Sequence, residues 1–217
     1  MSETIAAPSI PAPAALERLR LGNRRFVAEA QGQGARIGRD RRDELLDSQA
    51  PFAIILGCSD SRVPAELVFD QGLGDLFVIR VAGNIVAPSQ IGSVEFAAER
   101  FGTRLVVVLG HTMCGAVTAA IEELERPPAI RSPNLRSIVD RIQPAVETLL
   151  ETDLRRDPEA LLHHAVRANI RASANSLRCG SAVLERLMRD DGLLIVGAEY
   201  SMETGADEFF DGLPAEG

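Results

Sequence analysis

The chain has 217 residues, 46% hydrophobic and 25% charged, enough to bury a sizeable core within one ordinary globular domain. Its 31 acidic against 23 basic residues give a formal charge of −8, which argues against a nucleic-acid partner. Three cysteines are too few for a disulfide scaffold, and no apolar run nears the roughly 20 residues of a membrane helix. Met1-Ser2-Glu3-Thr4 also lacks the basic and apolar regions of a secretory signal, so the expectation is a cytoplasmic protein with no membrane partner.

In chain order, residues 1–14 are rich in Ala and Pro and are expected to form a disordered arm, with 15–217 as a single domain. Leu16, Leu19, Phe26, Val27 and Ala30 recur at helical spacing and predict an amphipathic helix over 13–30, ended by Gln31-Gly32-Gln33-Gly34. That helix could pack on its own sheet or against a neighbouring subunit. A second short helix is expected from Arg39 to Asp47. Phe52-Ala53-Ile54-Ile55-Leu56-Gly57, preceded by Pro51, reads as a strand buried on both faces. It delivers Cys58-Ser59-Asp60-Ser61-Arg62. Pro64 suits the first turn of a short helix. Gly72 and Gly74 precede a second strand, Leu76-Phe77-Val78-Ile79-Arg80, and Ala82-Gly83-Asn84 follows as a loop.

Pro88 opens a helix with Ile91, Val94, Ala98 and Phe101 on one face, stopped by Gly102. Leu105-Val106-Val107-Val108-Leu109-Gly110 is a third buried strand, delivering His111-Thr112-Met113-Cys114-Gly115. The next helix carries Val117, Ala120, Ile121 and Leu124 and ends at Pro127-Pro128. Ser132-Pro133 caps a longer one, in which Pro144 is placed to introduce a kink. Asp157-Pro158-Glu159 starts another, running to Ser176, and a last helix spans 180–190. Leu193 to Gly197 is a fourth buried strand, and Met202 to Phe210 an antiparallel edge. This alternation predicts an α/β fold: a mostly parallel four-stranded sheet with one antiparallel edge strand, helices on both faces and an N-terminal helical arm. Ligand sites in such sheets lie at the carboxyl ends of the strands.

Two strands thus end in thiol and imidazole groups. Cys58, His111 and Cys114 suit zinc, and three ligands leave a fourth position open for water. Cys114 begins a predicted helix, whose dipole lowers a thiol pKa. A structural zinc or a pair of buried core cysteines is the competing reading. A structural site would need a fourth strong ligand, and Asp60 is the nearby candidate. Asp60 and Arg62, two positions apart in a loop, can form a bidentate pair, whether as catalytic dyad or as a plain loop-stabilising salt bridge.

Cys58-Ser59-Asp60-Ser61-Arg62 and His111-x-x-Cys114-Gly115 resemble the motifs of the β-class carbonic anhydrases, and the likeness covers nearly the whole chain from residue 15 onward. The resemblance implies one zinc ion per chain and reversible hydration of carbon dioxide to bicarbonate and a proton. It implies that Arg62 keeps Asp60 off the metal, and that Asp60 then accepts a hydrogen bond from zinc-bound water or hydroxide. Asp60 would ligate zinc only in a closed, inactive state. Gln49 falls where the open, chloroplast-like subclass has a glutamine that binds substrate oxygen, and Phe77 matches its apolar wall. Phe96 stands where that subclass usually has Tyr, Ala82 where Val is frequent, and Gly115 completes the pocket. The other subclass has Trp where this chain has Ile55, so the pattern favours the open one.

The family also implies a homodimer or larger homo-oligomer, with Gln49, Phe77 and Phe96 facing the metal of the partner chain. The apolar stripe of the 13–30 helix, more than a surface helix requires, points the same way. Two other functions use the same residues: hydrolysis of carbonyl sulfide or carbon disulfide, and a non-catalytic zinc or bicarbonate-sensing module. Asp60, Arg62 and Gln49 argue against the module, which would need none of them. Cys179 reads as a buried or surface thiol, Tyr200 as structural, and mid-helix His163-His164 as unsuited to a proton shuttle.

Overall fold

A computed structural model describes residues 10–30, 32, 36–126 and 132–214. The four apolar runs form the parallel strands β1 (Ala53–Gly57), β2 (Leu76–Arg80), β3 (Leu105–His111) and β4 (Leu194–Tyr200), and β5 (Asp207–Asp211) pairs antiparallel with β4. The order β2-β1-β3-β4-β5 puts β1 and β3 side by side at the centre and leaves β2 as an open edge. Residues following β1 and closing β3 therefore meet at one end of the sheet.

Alternation along the strands divides the core in two, as a period of two requires. Ile55, Val107, Leu109, Val196, Ala198 and Tyr200 face α1 (Ala12–Val27) and the short α3 (Ala65–Val68). Between these two helices, α2 (Arg39–Glu44) buries no side chain. Ile54, Leu56, Val106, Val108 and Ile195 face the larger layer. It comprises α4 (Pro88–Arg100), α5 (Gly115–Glu125), α6 (Pro133–Val146), α7 (Pro158–Cys179) and α8 (Ala182–Asp190). No helix among the described residues is long and apolar enough to cross a membrane.

The stripe on α1 finds its partner within the chain. Ala15, Leu16 and Leu19 are buried against the sheet, and Gly22 sits so near Phe69 that a Cβ there would lie 1.8 Å from the Phe69 carbonyl oxygen. The stripe is consumed by the protomer's own core, so it gives no separate support for assembly. The helix begins at Ala12, inside the stretch expected to be an arm, and ends three residues early. Glu29 adopts φ 54°, Ala30 N–H donates to Arg25 O and Glu29 N–H to Phe26 O, a left-handed stop built without glycine.

Two strand boundaries also differ. β4 runs on past Gly197 to Tyr200, because Glu199 can be buried once Arg167 of α7 reaches it. β5 begins only at Asp207, since Met202–Thr204 form the turn that reverses the chain. α6 continues two residues past Pro144 and then tightens into a 3-10 turn, Glu147–Glu151. Residues 1–9 of the expected arm, Gln31 and Gln33-Gly34 at the first helix stop, and Pro127-Pro128 lie outside the described residues.

Candidate metal centre

Cys58 leaves β1, His111 is the last residue of β3, and Cys114 caps the start of α5. One ligand atom from each lies within 4.8 Å of the others, and all three residues are buried. His111 Nδ1 is 2.9 Å from its neighbour's carbonyl, Thr112 O, and the tautomer that donates there leaves a lone pair on Nε2. That Nε2 is buried and has no hydrogen-bond partner. A buried acceptor left unmatched is costly, and a metal cation is the partner that would satisfy it.

The two thiols tell the same story. Cys58 is lowered to about 4, chiefly by the S–H of Cys114, with help from His111 and the N–H groups of Asp60 and Gly83, against burial. The Gly83 N–H reaches Cys58 Sγ at 3.3 Å because Gly83 takes φ +69°, open to glycine but strained for other residues. Cys114 is pushed well up by its hydrogen bond to the Cys58 thiolate, then by burial, and the N–H groups at the start of α5 do not offset this. The helix start expected to lower that thiol is present but outweighed. Alone, the pair carries a single negative charge, and ionising both sulfurs calls for a cation between them. Burial lowers His111, but Cys58, the Thr112 carbonyl and Asp60 together leave it raised. Two sulfurs and an unmatched imidazole nitrogen fit a divalent ion with one position to spare.

Asp60 stands at the rim of this triad. Arg62 grips it through Nε to Oδ1 at 2.9 Å, Nη2 to Oδ2 at 2.8 Å and the backbone N–H to Oδ1 at 3.0 Å. The guanidinium holds the Asp60 carboxyl well below the usual range, so it is an acceptor at any working pH. Its Oδ2 lies 3.9 Å from His111 Nε2. The dyad is thus bidentate and aimed at the metal position.

The expected pocket residues divide into two groups. Ala82 and Gly115 lie beside the triad, next to Gly83 and Cys114 respectively, and Gly115 faces open space. Gln49, Phe77 and Phe96 do not join it. Gln49 is exposed in the coil before β1, whose opposite end carries Cys58, and a five-residue strand spans about 17 Å. Phe77 on the open strand β2 packs with Phe96 and Phe101, ring centroids 5.6 to 6.3 Å apart, and Phe96 is 55% exposed.

The sequence profile described as carbonic anhydrase matches residues 53–206. Carbonic anhydrase 2 of Mycobacterium tuberculosis is 36% identical over 198 residues, covering 91% of this chain and 92% of that protein. The chain belongs to the β-class carbonic anhydrases. The fold of this carbonic anhydrase matches the β-carbonic anhydrase CcaA with a TM-score of 0.73 at 24% identity, over 93% of this chain and 94% of the other. It matches one of two tetrameric β-carbonic anhydrases of Sordaria macrospora with a TM-score of 0.70 at 22% identity, over 78% and 85%.

Two residues that shape the enzyme's site escaped the sequence reading. Arg80, closing β2, donates from Nε to Cys58 O at 3.0 Å and from Nη2 to Asp60 O at 2.5 Å, strapping the loop between them. A lone cation ending an apolar strand was the available signal. Asn169, buried in α7, donates to Gly83 O at 2.8 Å and so fixes the turn that serves Cys58. An amide in the apolar face of a long helix was its signal.

Proposed function

We propose that this carbonic anhydrase is zinc-dependent, with Cys58, His111 and Cys114 as the ligands, and that it hydrates carbon dioxide reversibly. The observation that carries the reading is the buried, unmatched Nε2 of His111 converging with two thiols beneath a carboxylate already engaged by arginine. Zinc bound there supplies the Lewis acidity that makes a nucleophile of water near neutral pH. Asp60, kept ionised by Arg62, would accept a hydrogen bond from the attacking water at Oδ2 and so orient the water's lone pair toward carbon dioxide. Arg80 and Asn169 hold the two loops that set this geometry. With Ile55 rather than tryptophan behind the first cysteine, and Asp60 fully committed to Arg62, we assign the open-site subclass. The odd cysteine count supports a cytoplasmic location.

The experiment is zinc content together with carbon dioxide hydration, before and after chelation. One zinc per chain, activity lost on chelation and regained with zinc, is the expected result. Full activity in a zinc-free preparation would overturn the reading.

We also infer a homodimer with shared pockets. Gln49, Phe77 and Phe96 sit away from their own triad, beside an open sheet edge with an exposed phenylalanine, where a second copy would bring them to its metal. Carbon dioxide needs an apolar wall more than a polar anchor, and Phe77, Phe96 and Ala82 provide one, with the Gln49 amide for a substrate oxygen. Phe96→Arg should shift sedimentation toward monomer and lower activity per chain in step, with zinc retained. A fully active monomer would sink the shared pocket.

A further inference from the structure

His111 offers Nε2 to a metal only while its Nδ1–H stays on the Thr112 carbonyl, 2.9 Å away. A loop carbonyl swings with its peptide unless the residue that carries it is fixed. Thr112 is held at its other two polar groups. Its N–H donates to Tyr200 O at 3.0 Å, one step past the register that pairs His111 with Tyr200, and so prolongs the ladder between β3 and β4. Its hydroxyl oxygen, Oγ1, accepts the N–H of Met202 at 3.0 Å, from the turn that joins β4 to β5.

The next residue gives this clamp something to resist. Met113 takes φ 57°, a left-handed conformation costly for a residue with a side chain, and half of that side chain is exposed. The reversal there brings Cys114 back beside His111. Strained backbone persists only where its surroundings over-determine it. On one side the chain enters α5 at Cys114, and on the other Thr112 must hold. Relaxation at Met113 would turn the Thr112 peptide and carry its carbonyl off Nδ1.

The anchor is itself well fixed. Across the turn, Ser201 N–H donates to Ala206 O at 2.9 Å, Gly205 N–H to Ser201 O at 2.8 Å, and Thr204 N–H to Ser201 Oγ at 3.2 Å. Asn23, buried on α1, binds it from outside. Its Nδ2 donates to Gly205 O at 2.9 Å and to Val68 O of α3 at 3.2 Å, and its Oδ1 accepts the Asp207 N–H at 3.0 Å. The turn is therefore pinned to α1 and α3.

We propose that Thr112 is the positioning residue for His111, and that the turn between β4 and β5 sets the direction of the imidazole through it. Thr112 acts through its carbonyl on Nδ1, which keeps the Nε2 lone pair aimed at the ion. Asn23 extends the same chain of contacts to α1, so the metal site is tied to a helix on the opposite layer of the core.

The inference rests on the zinc reading, and the test separates the two. Zinc affinity of the full-length protein is measured by competition with a chromogenic chelator, and solvent exchange of the His111 Nδ1 proton by NMR of the zinc-loaded protein. Thr112→Val keeps the N–H and the carbonyl and removes the acceptor Oγ1. It should weaken zinc binding about 10-fold and speed exchange of the Nδ1 proton. Thr112→Ser, which keeps the hydroxyl, should match the wild type in both. Met202→Pro cuts the same hydrogen bond from its other end, at the opening position of a turn, where proline is ordinary. It should reproduce the Thr112→Val losses, stands in for that variant if valine does not fold, and should add nothing when the two are combined. A lowered Tm with wild-type zinc affinity and Nδ1 exchange would make the clamp merely structural and overturn the inference. Additive losses in the double variant, or a Thr112→Ser protein as weak as Thr112→Val, would overturn it too. A wild-type protein that binds no zinc would instead sink the zinc reading itself.

Discussion

Cys58→Ser and Cys114→Ser will each strip the enzyme of zinc and of activity, and by more than the roughly 10–100-fold loss typical of an outer-shell partner. Both sulfurs are buried, joined by the hydrogen bond that the Cys114 S–H donates to the Cys58 thiolate, and each is reached by N–H groups of fixed backbone. A serine hydroxyl in the same place does not ionise near neutral pH, so the ion would meet one thiolate and one imidazole instead of a charge-matched pair. The loss should be chemical rather than global. The loop is held by Arg80 through backbone carbonyls, and the Gly83 turn by Asn169, neither of which touches a sulfur. The check is bound zinc by mass spectrometry of the intact protein, with circular dichroism as the control for folding. A serine variant that keeps one zinc per chain and the wild-type rate would remove that cysteine from the ligand set. Zinc affinity in the wild type should also weaken as pH falls, because protons compete for the same sulfurs and imidazole.

How far the sequence reaches follows from what each signal encodes. β1 and β3 are legible because a strand covered on both faces has no reason to carry a polar residue, and Ile54–Leu56 and Val106–Leu109 carry none. The triad is legible because thiol and imidazole groups at two strand ends have few other uses together. The partner of α1 is not. Helical spacing says which residues are buried and not what buries them; Gly22, fitted against the Phe69 carbonyl, and Asn23, donating to Val68 O and Gly205 O, mark the helix as docked on its own chain. Arg80 and Asn169 are illegible for a different reason. Each acts through hydrogen bonds from a side chain to a distant backbone carbonyl, a contact with no sequence period. Glu199 hides in the same way: an acid at the end of a strand reads as the strand's limit until Arg167, in another helix, makes its burial tolerable.

Arg62→Ala should produce the opposite pattern from the serine variants: zinc retained, activity lost. The substitution removes two side-chain donors from Asp60 while leaving the Arg62 backbone N–H and the Arg80 strap in place, so the loop keeps its course and only the carboxylate is freed. Arg62 is itself more than half exposed, so no core packing is lost with it. The nearest unsatisfied position is the metal's, since Asp60 Oδ2 already lies 3.9 Å from His111 Nε2. Carboxylate oxygens are ordinary zinc ligands, and a fourth strong ligand converts an open site into a closed one. The expected fall in turnover is on the order of 100-fold, with zinc at one per chain. A small anion such as thiocyanate, which needs a free coordination position, should bind the wild type and not Arg62→Ala. Adding Asp60→Asn to Arg62→Ala should restore that anion binding without restoring turnover, because the amide neither closes the site as an anion nor accepts a hydrogen bond from water as strongly as the carboxylate does. If Arg62→Ala turns over at the wild-type rate, Arg62 does not hold the site open. If it loses its zinc, the arginine serves the ligands rather than Asp60, and the dyad is a plain salt bridge.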